Sequence, residues 1–177
     1  MNKQPFIFLS FILLLSGIFT SCQSEQNAPN ATQIENLDEK ILNANKLIVR
    51  DEAKDIELLL KRYAWKMHAT GTGLLYFITK EKEGELLKKG DKVDIKCSIS
   101  LINGKEVYNS TRDGTKTIVI EQSDEPAGLH ELLQLMKPNE KARAIIPSHL
   151  AYGILGMDNI PPYATLIYRI EILNIHK

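Results

Sequence analysis

The residues best placed to do chemistry lie late in the chain. The stretch AYGILGMDNIPPYATL, Ala151 to Leu166, sets the hydroxyl of Tyr152 beside a glycine, follows it with a loop of turn formers, and closes on Pro161 and Pro162. Proline fixes its own φ and restricts the residue before it, so this loop is rigid and suited to holding something. The other reactive side chains are less suggestive. Cys97 falls on the apolar face of a strand pattern, where a thiol behaves as a small core residue, and no neighbouring charge pattern would lower its pKa. His68, His130, His149 and His176 are scattered over different elements without the spacing of metal ligands, so no metal or other cofactor is expected.

The elements that must position Tyr152 can be read from periodicity. Ile56, Leu59, Leu60, Tyr63, Ala64 and Met67 recur at helical spacing and predict a lead-in helix from about residue 51 to 66, on which Trp65 packs against the rest of the domain. The stretch from Ile34 to Ile48 has a blurred pattern that suits a frayed helix, a linker or a dimerising stalk. From Gly73 the period changes. GLLYFIT reads as a strand; Val93, Ile95, Cys97, Ile99 and Leu101 alternate with polar residues as in a half-buried strand; Asn103-Gly104 then predicts a hairpin. Glu106 to Asn109, Thr115 to Ile120, Ala142 to Pro147 and Ala164 to Ile175 supply further strands. Between them, Leu129, Leu132, Leu133 and Met136 form the apolar stripe of a short helix, with Ser123 or Asp124 as its cap and Pro126 at its first position. Strands around one central helix make a mostly antiparallel α+β domain.

The chain has 177 residues, with 22 basic against 22 acidic side chains, so its composition carries no electrostatic footprint for nucleic acid. Its front end is different. Lys3 precedes an apolar run from Phe6 to Phe19, broken by Ser10, Ser16 and Gly17, then Thr20, Ser21 and Cys22. This is the layout of a signal peptide, and the run falls short of the roughly 20 residues that span a bilayer. Its end resembles a bacterial lipobox with Phe19 in place of the usual leucine, which implies cleavage after Ser21 and lipidation of Cys22. With Cys22 acylated, Cys97 has no disulfide partner. The polar stretch Gln23 to Thr32 reads as a tether.

The succession of strand, Asn-Gly hairpin, short helix, MKPNEKARAIIPSHLAYG and IPPYATLIYRIEIL resembles the FKBP family of peptidyl-prolyl cis-trans isomerases over about residues 70 to 177. The lipobox and helical lead-in further resemble its lipoprotein members in Bacteroidetes, including gliding-motility-associated isomerases. The resemblance implies a five-stranded antiparallel sheet wrapped around a short central helix, preceded by an N-terminal helix, with an apolar cradle between sheet and helix. It implies that Tyr152 hydrogen-bonds a carbonyl of a bound peptide and that Ile160 offers a backbone N–H. The family's pocket positions fall on Cys97, Val107, Tyr108, Ile118, Leu129 and Tyr168. Several family aromatics, and the carboxylate that follows the hairpin, are thereby replaced. The organisation expected is a lipoprotein signal peptide (1–21), a tether with a weak helical segment (22–50), a lead-in helix (51–69) and an isomerase domain (70–177). The resemblance implies proline-containing polypeptide clients; the lipobox implies a lipid anchor in the bacterial envelope, and the N-terminal helical region, read as a stalk, a dimer. Gln23 after the cysteine, where an aspartate would favour inner-membrane retention, points to the outer membrane facing the periplasm. The rival expectation is a non-catalytic binding or scaffold lipoprotein of the same fold in an envelope or gliding-motility machine.

Overall fold

The computed structural model describes residues 31–176, with side chains from residue 38 onward. The leader, Cys22 and the first part of the tether lie outside the described residues. The chain divides into two units between Ile41 and Leu42, and the fold below is that of the second, Leu42–Lys177.

Helix α1 runs without interruption over Ala31–Tyr63, so the blurred stretch from Ile34 to Ile48 is helical. It stops earlier than the periodicity suggests. Ala64 takes a left-handed conformation (φ 50°), and the Trp65 N–H reaches back to the Leu60 carbonyl at 3.0 Å. That six-residue closure ends a helix, and Lys61 and Arg62 in the last turn suit its negative end. Ile56 and Leu59 are buried against Ile145 and Ile167 on the outer face of the sheet, with Trp65 and Met67 packed beside them.

The strands are β1 (His68–Ala69), β2 (Leu75–Lys80), β3 (Lys92–Leu101), β4 (Glu106–Asn109), β5 (Lys116–Val119), β6 (Lys141–Ile146) and β7 (Leu166–His176). Every pairing is antiparallel, in the order β1-β2-β6-β7-β3-β4, with β5 also on β3. β4 pairs with residues 98–100 of β3 and β5 with residues 92–95, while β7 takes the other edge. The two short strands therefore share one lane, and β1 is a two-residue stub. Five lanes remain, as the family resemblance implies.

The alternation in β3 buries Val93, Ile95, Cys97, Ile99 and Leu101. They join Leu166, Tyr168, Ile170 and Ile172 of β7 in a core closed by Leu129, Leu132, Leu133 and Met136. After the one-turn helix α2 (Ser110–Asp113) comes helix α3 (Ala127–Gln134), to which three of the four belong, with Met136 just past its end. The capping expectation is corrected here. Pro126 is the N-cap residue and no side chain caps the helix. The Ser123 hydroxyl instead accepts from the Val119 N–H at 2.8 Å, finishing the turn after β5. Gly128 sets how closely α3 lies on the sheet, because a Cβ there would come within 2.5 Å of Ile146 Cγ2 and 3.1 Å of Leu150 Cβ.

Candidate functional site

The eight pocket positions named from the sequence come together. Cys97, Ile118, Leu129 and Tyr168 are buried in one apolar cluster, and Val107, Tyr108, Tyr152 and Ile160 pack on it half-buried. β3, β5, α3 and β7 supply the inner four. The β3–β4 hairpin and the long loop before β7 supply the outer four.

Tyr152 stands just beyond a 3₁₀ turn at Ser148–Leu150. The Gly153 N–H bonds the Ser148 carbonyl at 2.9 Å, and the Tyr163 N–H returns to the Gly153 carbonyl at 2.8 Å, so the loop closes on itself beside the ring. Desolvation pushes the Tyr152 hydroxyl up to about 12, with Glu125, Asp124 and Asp158 adding to the shift. It is therefore a protonated hydrogen-bond donor throughout the physiological range.

The role expected of Ile160 needs correction. Its N–H donates to the Met157 carbonyl at 2.7 Å, and the Met157 N–H donates back to the Ile160 carbonyl at 2.9 Å. This tight turn, with Asp158 left-handed at φ 46°, consumes the donor inside the loop. Ile160 contributes its side chain to the cluster instead. Gly156 lets the prolines pass, since any Cβ on it would strike the Ile160 carbonyl oxygen and the backbone of Pro161 and Pro162.

The cradle also proves to be closed. Ile118, Leu129 and Tyr168 are each at most 1% exposed, so a ligand must shift the covering side chains to reach them. Part of that cover is polar, and sequence reasoning missed it. Lys116 Nζ lies 2.6 Å from Glu125 Oε1 in a largely buried ion pair, and the same ammonium sits 5.0 Å from the centre of the Tyr108 ring. Tyr108 is held in turn by its hydroxyl, which donates to the Gly114 carbonyl at 2.6 Å. Glu125 Oε2 and the Tyr168 hydroxyl are both buried without a hydrogen-bond partner. Burial, followed by Tyr152, Glu125 and Cys97, raises the Tyr168 hydroxyl well above its ordinary range. These groups therefore share one pocket. A carboxylate thus stands at the cluster from the turn before α3, although none follows the hairpin at Val107-Tyr108. The sequence signal for it is the acidic run Asp124-Glu125 just before the helix.

Cys97 is inert by the same physics. Its thiol is driven up to about 11 by burial, against which the Ser110 hydroxyl acts only partly. No thiolate nucleophile forms near neutral pH. His130 is buried and satisfied at both ring nitrogens. Nδ1 accepts from the Glu121 N–H at 3.0 Å, and Nε2 lies 3.0 Å from the Ser123 carbonyl.

One further residue acts on this loop from a distance. Glu52 of α1 accepts from the Ser148 N–H at 2.6 Å, the Ser148 hydroxyl at 2.9 Å and the Thr165 hydroxyl at 2.6 Å. Ser148 and Thr165 bracket the loop that carries Tyr152 and the double proline. A helical carboxylate thus clamps both ends of it.

Comparison with known proteins agrees with this architecture. A family model for FKBP-type peptidyl-prolyl cis-trans isomerases matches residues 83–173. The FKBP-type isomerase FkpA of Buchnera aphidicola subsp. Baizongia pistaciae is 31% identical over 185 residues, covering 99% of this chain and 73% of that protein. FkpA of Escherichia coli strain K12 is 32% identical over 130 residues, covering 70% and 48% respectively. The crystal structure of FkpA from Escherichia coli superimposes with a TM-score of 0.63 at 30% identity, over 84% of this chain and 74% of that one. The chain thus spans roughly half to three quarters of the length of these curated relatives. From the cradle residues, the five-lane sheet around α3 and these matches together, the chain belongs to the FKBP-type peptidyl-prolyl cis-trans isomerase family.

Proposed function

We propose that this protein catalyses cis-trans isomerisation of peptide bonds preceding proline in polypeptide clients. The observation that carries the reading is the convergence of Tyr152 with an apolar cluster of Ile118, Leu129 and Tyr168. Rotation about a peptide bond faces a barrier of about 18–20 kcal/mol because resonance gives the C–N bond double-bond character. That resonance separates charge. Moving the imide out of water into the cradle disfavours the planar form relative to the twisted transition state, which lowers the barrier without a nucleophile or metal. The Tyr152 hydroxyl donates to a client carbonyl and fixes its orientation. Glu125 Oε2, buried and unpartnered, accepts from a client N–H that replaces the water it lost on folding.

The test is proline-limited refolding of a model client. The wild type should accelerate the slow phase, and Tyr152→Phe should lower kcat/KM by about tenfold, the worth of one hydrogen bond in the transition state. No acceleration by the wild type would leave a binding or scaffold role, which the nearly complete cover over Leu129 and Tyr168 favours.

The same reading places the protein in a bacterial envelope, anchored through acylated Cys22 at the outer membrane and assisting exported proteins whose X-Pro bonds isomerise slowly. Labelling with palmitate followed by membrane fractionation tests the anchor. Pairing of two copies through α1 is supported by the exposed Leu42, Leu47, Val49 and Leu58, and analytical ultracentrifugation reads it directly.

A further inference from the structure

The sheet gathers on its outer face the basic residues that the sequence scatters. Arg143 of β6, Arg169 of β7 and Ser98 of β3 stand directly opposite one another in register, on the side away from the cradle. Helix α1 covers the adjoining Ile145 and Ile167 and then ends, leaving this row open beside Arg62 and Trp65. A cavity of about 410 Å³ is lined there by Arg62, Trp65, Ser98, Ser100, Arg143 and Arg169, among others. A second, of about 290 Å³, shares Ser98, Arg143 and Arg169 and adds Lys96 and Lys141.

The charges in this groove are not balanced. Of its two carboxylates, Glu171 pairs with Lys141 of the groove itself at 2.8 Å, and Glu106 pairs with Arg112 at 3.3 Å, so neither pairs with Arg62, Arg143 or Arg169. Among the described residues, Arg62, Arg143 and Arg169 have no carboxylate within ion-pairing distance. Like charges directly opposite across strands destabilise a sheet. Arg143 shows the strain, since burial and then Arg169 pull its guanidinium below the usual range. Its Nε is buried without a hydrogen-bond partner, while its fork lies 4.3 Å over the Trp65 ring.

We infer that this groove is a binding site for a phosphate group, held by Arg143 and Arg169 from the sheet and Arg62 from the end of α1. Guanidinium forks match phosphate oxygens in pairs, and three forks with two serine hydroxyls offer more donors than the two oxygens of a carboxylate can use. The site lies behind the sheet from Tyr152 and is independent of the isomerase reading. A soluble phosphate compound and a phospholipid headgroup present the same chemistry to it.

Trp65 is the chain's single tryptophan, so its fluorescence reports on the groove. The full chain should show a saturable change on titration with pyrophosphate, with a Kd below about 1 mM. Sodium chloride at equal ionic strength should not reproduce it. Arg169→Gln, at an exposed position that leaves the Arg143–Trp65 stack in place, should weaken binding at least about tenfold, as should Arg62→Gln. Neither should alter the refolding activity. Sedimentation with phosphatidylcholine vesicles, with or without phosphatidylglycerol, then separates the sources. Binding only to the anionic vesicles, displaced by pyrophosphate, identifies a headgroup; pyrophosphate binding without vesicle binding identifies a soluble ligand. An unsaturable response, one matched by sodium chloride, or one unchanged in Arg169→Gln would overturn the assignment.

Discussion

Replacing Glu52 by alanine should disable the active loop more than it unfolds the protein. The Glu52 carboxylate satisfies three donors, the Ser148 N–H and hydroxyl and the Thr165 hydroxyl, at 2.6 to 2.9 Å. Ser148 and Thr165 are both buried, so the variant leaves donors that water reaches poorly. Each unsatisfied buried donor costs about 1–3 kcal/mol, and admission of water recovers part of that, so a net loss of about 3 kcal/mol is expected. A domain of this size is stable by about 5–15 kcal/mol, so the variant still folds. Glu52→Gln keeps the shape and one acceptor oxygen and should lose only about 1 kcal/mol. Urea unfolding gives the stability difference, with the midpoint falling and the slope unchanged. Proline-limited refolding at a temperature where both variants are folded gives the loop's contribution. Glu52→Ala should lower kcat/KM by about tenfold or more, because Tyr152 loses its fixed position, and Glu52→Gln should restore most of it. An alanine variant within about 0.5 kcal/mol of wild type, as at an unimportant surface site, would show that the clamp is not formed in solution. A destabilised variant with full activity would show that the clamp does not position Tyr152.

Other outcomes follow from the same geometry. Tyr168→Phe removes a buried hydroxyl that has no partner, so stability should hold or rise by about 1 kcal/mol, measured by urea midpoint. Gly128→Ala should cost about 1–3 kcal/mol by overpacking against Ile146 and Leu150, whereas alanine at Gly104, which has nothing near its missing Cβ, meets only the strain of its left-handed backbone. For Cys97, a folded-state value of about 11 lies above its ordinary 9.0, so the protonated thiol is the form that folding favours. Its contribution is complete below about pH 9 and disappears as the pH rises through about 11, and Cys97→Ala should flatten the fall in urea midpoint across that window.

Much of the fold was legible because one residue period maps to one element. The alternation from Val93 to Leu101 gave β3 its inward face, and the Leu129–Met136 stripe gave α3 its packing side. What failed was local and lay at ends. The helix start could not be fixed from Ser123 because its hydroxyl has a stronger use in closing the turn at Val119. The continuity of α1 through Asn43 and Asn45 was equally hidden, since weak helix formers lower the propensity of a stretch without forbidding it.

The site divides along the same line. Side chains carried by regular elements are reached through the family resemblance, whose pocket positions Cys97, Ile118, Leu129 and Tyr168 stand in one cluster. Groups whose role depends on a loop's backbone cannot be read that way. The Ile160 N–H looks free in a one-dimensional reading and is spent on Met157 in three dimensions. Glu125 looks like a solvated first-turn acid, yet the turn before α3 brings it inward onto Lys116. These two corrections act in opposite directions, one removing a donor from the cradle and the other adding an acceptor. An FKBP cradle that offers an acceptor at Glu125 and lacks the Ile160 donor should prefer clients that present an N–H beside the proline over those that present a second carbonyl. Paired model peptides, one N-methylated at the residue before proline, would read that preference as a kcat/KM ratio. Glu125→Gln, which turns part of the acceptor into a donor, should bring the ratio toward one, and an unchanged ratio would remove Glu125 from client recognition.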